Sequence, residues 1–470
     1  MKKSVFSNFF HFVCLLSSIL ICLPTFFSCK KKPSPEEIEN ERVRREQAFE
    51  KKLEQAKENA LSDYVRNLAP EVKVSQLFLV NVEGKSNYSA VEKVSSVTNN
   101  AGDDSPLMPG GVLLFSYNIS KDPLESYDYI KSIHDFYVEN QNPPPFVAVD
   151  QEGGDVNRLR SLTSVLWSQK EIADSFTPEK AFLLYQAQAR QMKNLGFHMN
   201  LAPVVEVMNE ENREFLDTRS FGSLEKVLEY GGLAVRAYEE NGISVVLKHF
   251  PGNSSTDPHI GLPKISIKGQ DKDNYFKPFQ TLLPAASGIL MSHAIVQLEG
   301  EADDSQQPAC FSSYWIQDVL KKQFSFNGLV ISDDIFMGAL AKNGYPPESA
   351  AVKALEAGVD VIMLSEKKFG KVAGSILEEA EKNAGFAAEL DRAVENVILY
   401  KIKAGILELV EKEPVSAETV ENFDGQASSP EEASDGKKVP FFEIRVNPLY
   451  HEFNLEKFDG DYLAGMKAYN

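Results

Sequence analysis

Cysteine is nearly missing from this chain. Of four cysteines in 470 residues, Cys14, Cys22 and Cys29 lie within the first thirty positions and only Cys310 lies beyond them, so no disulfide framework holds the body. A lone Cys310 beside Phe311 reads as a small core residue. Positive charge is also short: Lys and Arg number 49 against 68 Asp and Glu, a net charge of −19. Such a surface repels a polyanion, and no basic stripe with interleaved aromatics is present, which excludes nucleic acid as a partner. No convincing Gly-rich phosphate loop follows an early apolar run, which speaks against a dinucleotide-binding open sheet.

What is there begins with a targeting segment. Lys2 and Lys3 precede an apolar stretch from about Val5 to Phe27 that ends at Ser28-Cys29, the layout of a secretory signal peptide. Its end resembles a bacterial lipobox, although Phe26-Phe27-Ser28 stands where a Leu and small residues are usual. The expectation is a signal peptide over 1–28 and lipidation of Cys29. The chain is then held to the membrane by its lipid, on the exported side of a bacterial cell envelope. An uncleaved N-terminal membrane helix is the alternative, since the run is just long enough to span a bilayer. Residues 30–65, dense in Glu, Lys, Arg and Gln, read as a charged helical tether. Residues 411–470 read as an acidic low-complexity tail, disordered over 412–440, and a short C-terminal segment that regains aromatics.

Between the tails, over 66–410, apolar and β-branched runs alternate with helical stretches. The runs are VSQLFLVNV (74–82), GGVLLFS (110–116), PFVAVDQ (145–151), GFHMNLAPV (196–204), ISVVLKHF (243–250), GILMSHA (288–294), GLVISDD (328–334) and GVDVIML (358–364). Near-continuous apolar strands alternating with helices indicate a parallel sheet buried on both faces. Eight such units in roughly 340 residues predict an α/β fold, a single (β/α)₈ TIM barrel with inserted loops.

Polar residues collect where the runs end: Asp150 and Glu152, Lys248 and His249, Ser292 and His293, Asp333 and Asp334, Ser365 and Glu366. In a (β/α)₈ barrel these C-terminal strand ends share one bowl. In SDDIFM (332–337) a strand-end carboxylate is placed to attack an anomeric carbon; the alternative is that the two acids cap the next helix. In KHFPGNSSTDPHIGLP (248–263) the Asp257-Pro-His259 spacing lets a carboxylate orient and charge an imidazole. His249, Asp257, His259 and His293 also compose a possible zinc set, but no paired HxxxH or HxH spacing supports a metal. In VAVDQEGGDVNRL (147–159) Asp150 precedes a Gly-Gly turn and is suited to accept hydrogen bonds from two sugar hydroxyls; a helix-start acid is the plainer reading. Arg219 in TRSFG (218–222) is by itself a weak signal.

Taken together, VSQLF, VDQEGG, LAPVVEV, RSFG, KHFPG, DPH, FNGLVISDDIFMGAL and ALEAGVDVIML resemble family 3 glycoside hydrolases, and among them the single-domain β-N-acetylhexosaminidase branch, from about residue 66 to 408. The resemblance implies a retaining enzyme with Asp333 as nucleophile and an acid/base dyad of His259 and Asp257 on a mobile loop. It implies Asp150, Arg219, Lys248 and His249 as the residues that bind the terminal sugar, and no metal or organic cofactor. The implied substrate is terminal β-linked N-acetylglucosamine on a glycan such as a peptidoglycan fragment or a chitin oligosaccharide. The sequence departs from the pattern in three places. The loop KHFPGNSSTDPH is two residues shorter than usual, Asp155 stands where GGR is common, and Glu206 replaces an Asp. Those departures keep two alternatives in view: a sugar-binding lipoprotein with weakened chemistry, and a family 3 β-glycosidase or phosphorylase of other specificity.

Overall fold

The computed structural model describes residues 34–98, 102–257, 260–300, 307–412, 440–448 and 451–468. Cys29 and the expected signal peptide, His259, and almost all of the acidic tail lie outside them. No helix among the described residues is long and apolar enough to cross a membrane.

Eight strands form the central sheet: β1 (Phe78–Asn81), β2 (Gly111–Leu114), β3 (Phe146–Val149), β4 (Met199–Asn200), β5 (Ser244–Phe250), β6 (Gly288–Met291), β7 (Leu329–Ser332) and β8 (Ile362–Leu364). Neighbours in sequence are neighbours in space, every pairing is parallel, and β8 returns to pair with β1. The ring closes between β7 and β8 through a parallel bridge from Ile331 to Val361. This is the (β/α)₈ barrel that the eight apolar runs predict.

Both faces of each strand are buried, which is why the runs show no polar alternation. The period of two survives in which core each residue joins. Leu79, Leu113, Phe146, Ala148, Leu290, Leu329, Ile331 and Met363 fill the barrel's interior. Their neighbours Phe78, Val80, Val112, Leu114, Val147, Ile289 and Val330 pack outward.

The outer layer is made of α2 (Pro123–Glu139) after β2, α3 (Pro178–Leu195) after β3, α4 (Gly232–Glu240) after β4, α5 (Lys272–Leu282) after β5, a π-helical segment Tyr314–Gln323 after β6, α6 (Pro347–Ala357) after β7, and α7 (Gly370–Lys382) with α8 (Ala384–Lys403) after β8. Helix starts follow local chemistry. Asp122 and Thr177 accept backbone amides at the starts of α2 and α3, and Pro123 and Pro178 occupy first-turn positions that need no donor. Val397 and Tyr400 of α8, with Ile406 beyond it, close the floor at the strands' N-terminal ends, where the Tyr400 ring meets Phe146 edge-on at 5.3 Å.

The charged segment before the barrel is the helix α1 (Pro35–Arg66). Its last turns do not stand free: Val65 is buried, and Ser62 Oγ donates to Glu395 of α8 at 2.7 Å. The expected boundary at 410 cuts across a strand. β9 (Leu407–Lys412) pairs antiparallel with β10 (Phe441–Val446), and α9 (Leu455–Lys467) docks on α3. Asn194 clasps both the amide (2.9 Å) and the carbonyl (2.7 Å) of Asn454, Arg190 meets Asp461 at 2.5 Å, and Phe458 is buried.

Candidate active site

The bowl is built on residues that strand termination leaves at the C-terminal rim. Lys248 and His249 precede Phe250, the last residue of β5, and Asp150 follows β3 directly. The Lys248 ammonium lies 2.7 Å from Asp150 and 2.6 Å from Glu152. Arg219 grips the same Glu152 carboxylate with two nitrogens, each at 2.8 Å. Glu152 and Lys248 are each only 3% exposed, so this is a buried network and not a surface pair. Burial alone raises the Glu152 carboxyl, but the combined charges and hydrogen bonds of Lys248 and Arg219 hold it well below the usual carboxylate range. Burial likewise works against the Lys248 charge, and Asp150 and Glu152 outweigh it and raise its pKa.

The turn after Glu152 requires glycine. Gly153 has φ +103°, and a Cβ there meets the Trp167 carbonyl oxygen at 2.0 Å. This close approach seats the 151–154 segment against the 164–168 loop and points Glu152 down into the network.

His249 is held by Glu206, whose Oε1 lies 2.6 Å from Nδ1 and also accepts the His249 amide at 3.2 Å. The other Glu206 oxygen accepts the Asn253 amide at 2.6 Å, so one buried carboxylate fixes both the imidazole and the root of the following loop. That loop is tied again where the Ser255 amide and hydroxyl donate to the Glu211 carbonyl at 2.6 and 2.7 Å. Asp257 is exposed, and its carbonyl accepts the amides of Ile260 and Gly261 in a tight turn.

Asp333 follows β7 at the rim and is 7% exposed. Its Oδ1 accepts the Asp334 amide at 2.8 Å, and its Oδ2 has no hydrogen-bond partner among the described residues. Asp334 turns back into structure: its Oδ1 accepts the Phe336 amide at 3.0 Å. Burial raises its pKa against the pull of hydrogen bonds from Ser365 and Phe336. The adjacent acids are thus separated in role, one open and one capping. His293, after β6, spans the Asp334 carbonyl (3.0 Å from Nε2) and Cys310 Sγ (3.3 Å from Nδ1). With both ring nitrogens in use, His293 braces the Asp333–Asp334 turn, and the zinc set loses it as a ligand. Among the described residues no group of three or more His, Cys, Asp and Glu is placed to hold a metal.

The barrel therefore brings Asp150, Lys248 and Arg219 into one bonded group through Glu152, holds the adjacent His249 separately on Glu206, and sets Asp333 at another strand end of the same rim. Asp257 lies on the exposed loop that leaves β5. Three further residues belong to the bowl. Glu152 and Glu206 are the partners that fix Lys248, Arg219 and His249. Arg158 stands with its Cζ 5.4 Å from the Phe115 ring centre, and its buried Nε has no hydrogen-bond partner among the described residues. The sequence signal for Arg158 is its place in the same VAVDQEGGDVNRL segment as Asp150.

The comparisons agree with this geometry. Residues 70–399 match the model of the glycosyl hydrolase family 3 N terminal domain. A beta-hexosaminidase of Tolumonas auensis is 31% identical over 277 residues, which cover 56% of this chain and 78% of that one. Beta-hexosaminidase LpqI of Mycobacterium tuberculosis is 29% identical over 349 residues, 71% of this chain and 83% of that one. The solved structure of M. tuberculosis LpqI superposes with a TM-score of 0.59 at 28% identity over 73% of this chain and 96% of that one. A family 3 beta-N-acetylglucosaminidase structure from Paenibacillus gives 0.63 at 25% identity over 72% of this chain, which spans 63% of that longer protein. With the barrel, the bowl and a family model that covers most of its length, the chain belongs to glycoside hydrolase family 3 and is a glycoside hydrolase.

Proposed function

We propose that this protein is a retaining exo-β-N-acetylglucosaminidase that removes terminal β-linked N-acetylglucosamine from peptidoglycan fragments or chitin-type oligosaccharides. The observation that carries the reading is the state of Asp333: one oxygen held by a backbone amide, the other without a partner among the described residues at the rim of the bowl. In the first step Oδ2 attacks the anomeric carbon as the glycosidic bond breaks, and the departing oxygen takes a proton from His259. In the second, His259 takes a proton from water, which displaces Asp333 and restores the free carboxylate. Asp257 orients and charges the imidazole. The loop that carries Asp257 and His259 is anchored beside the bowl at Asn253 and Ser255. Asp150, whose second oxygen is not used by Lys248, accepts sugar hydroxyls, and Lys248, His249, Arg219 and Arg158 supply donors around the ring.

The preference for a neutral sugar follows from charge. At the base of the bowl the two cations Lys248 and Arg219 and the two carboxylates Asp150 and Glu152 compensate one another, so this group offers an acidic substituent no spare positive charge. Asp155, where the family commonly has Arg, acts in the same direction. Attachment to a membrane through lipid on Cys29 is part of this reading and rests on the leader sequence.

The test is direct. Asp333→Ala is expected to lower release of p-nitrophenol from p-nitrophenyl β-N-acetylglucosaminide by roughly 10³-fold or more. Incubation with a 5-fluoro glycoside of N-acetylglucosamine is expected to label one peptide, the one containing Asp333, by mass spectrometry. A label on another peptide, or full activity in the variant, removes the proposal.

A further inference from the structure

A second cavity, of about 240 Å³, lies at the opposite pole, beside the N-terminal ends of β3 and β4. Three of the chain's seven histidines line it, none of them part of the bowl: His134 from α2, His198 just before β4, and His451 from the C-terminal segment. Lys193, from the last turn of α3, and Asn447, whose amide nitrogen donates to the Gly405 carbonyl at 2.8 Å, are the other polar walls.

The hydrogen bonds fix what these groups present. His198 Nδ1 accepts the Val147 amide at 3.1 Å, so the neutral ring carries its proton on Nε2. Neither that Nε2 nor the Lys193 ammonium has a hydrogen-bond or ion-pair partner among the described residues. His451 Nε2 lies 3.2 Å from the Asn194 carbonyl, and His134 Nδ1 lies 3.5 Å from Asp135, whose carboxylate is 44% exposed. The charges facing His198 are Lys193, His451, His134 and the buried Lys401, every one a cation or a group that becomes one on protonation. His134 faces Lys131 besides Asp135, and His451 faces Lys193. The two groups without a partner, His198 Nε2 and the Lys193 ammonium, are both donors.

We propose that this cavity binds a small oxyanion, of the phosphate or carboxylate class, between Lys193, His198, His134 and His451, and that the bound anion ties the C-terminal segment to the barrel. His451 arrives on that segment, already seated by the Tyr127 hydroxyl on its carbonyl (2.9 Å) and by an edge-on contact with the Tyr127 ring. An anion held by groups from both sides adds charge-assisted hydrogen bonds across the seam. Burial, with the neighbouring positive charges, keeps the three imidazoles below their ordinary range when the cavity holds no anion. An anion favours their protonated forms, so binding takes up protons and strengthens as pH falls from neutral.

The experiment is thermal unfolding of the full chain in chloride buffer, with and without inorganic phosphate and, separately, acetate, at about pH 5.5 and pH 7.5. Phosphate near saturation is expected to raise the midpoint by about 2–4 °C, more at the lower pH. The rise is expected to vanish in Lys193→Met and in His198→Gln. A rise with acetate alone supports the site and narrows the class to carboxylates. No rise with either anion, or an equal rise in both variants, overturns the proposal. Should a variant fail to fold, calorimetric titration of the unsubstituted chain decides: one phosphate per chain, bound more tightly at the lower pH, supports the site, and no binding overturns it.

Discussion

Glu152 is the residue on which the sugar-binding half of the bowl turns. It touches no substrate in the proposed reaction, yet Lys248 and Arg219 are both aimed by it. Glu152→Ala removes the carboxylate that Lys248 and Arg219 share and leaves Arg219 with no ion pair among the described residues, and a loss of about 3–5 kcal/mol in denaturant unfolding is expected. Glu152→Gln keeps the shape and is expected to lower kcat/KM about 10²-fold through misplacement of the two cations. The pH sign follows from the depressed carboxyl. Its stabilisation is fully present above the ordinary Glu range of about 4.3 and is lost as pH falls through the lower folded-state value. The stability gap between parent and Glu152→Gln is therefore expected to narrow in acid, and urea unfolding across that range measures it.

Among the elements, α9 is bound to the barrel by shape as much as by hydrogen bonds. A Cβ on Gly465 falls 2.2 Å from Ser164 Oγ and 3.3 Å from the Ala187 methyl, so the helix approaches α3 as only a residue without a side chain allows. Gly465→Val is expected to lift α9 from α3, lower the melting midpoint by about 2–4 °C and open the C-terminal segment to limited proteolysis. This docking was not legible in the sequence beyond the return of aromatics after 440. β9 and β10 are a local pair in space but not in the chain, and neither carries a turn signal that names the other. The barrel strands were legible because burial on both faces writes a continuous apolar run. The run at 74–82 still opens with the end of a helix, Pro70–Ser75, before β1, and the run at 196–204 yields only the short β4, where Pro203 has no amide to extend the ladder. At the site, Asp150, Lys248, His249 and Asp333 were readable as polar residues at strand exits. Glu206 as the partner of His249 was not, because that contact joins segments 43 residues apart. The parallel strands Lys264–Ile267 and Ile295–Leu298, inserted after β5 and β6, are too short and too polar on one face to stand out.

At the scale of the whole molecule the two ends of the barrel differ in electrostatic design. The C-terminal rim pairs its cations with carboxylates; the floor gathers three histidines and a lysine, with the exposed Asp135 beside His134. Around both, the surface carries the net charge of −19. Rates of encounter that depend on steering fall steeply with salt, whereas those that depend on contact do not. For a neutral chitin-type disaccharide, kcat/KM is expected to change less than about twofold between ~50 and ~500 mM salt, and initial-rate measurements over that interval check it.

The bidentate grip of Arg219 on Glu152, with Lys248 against the same carboxylate, implies a receptor that is deaf at a distance. Nothing in it calls to a solute several ångströms away, and a passing polyol is recognised only once its hydroxyls have replaced water at the rim. Discrimination is then a matter of which hydroxyls match, and ions in the surroundings have little with which to interfere.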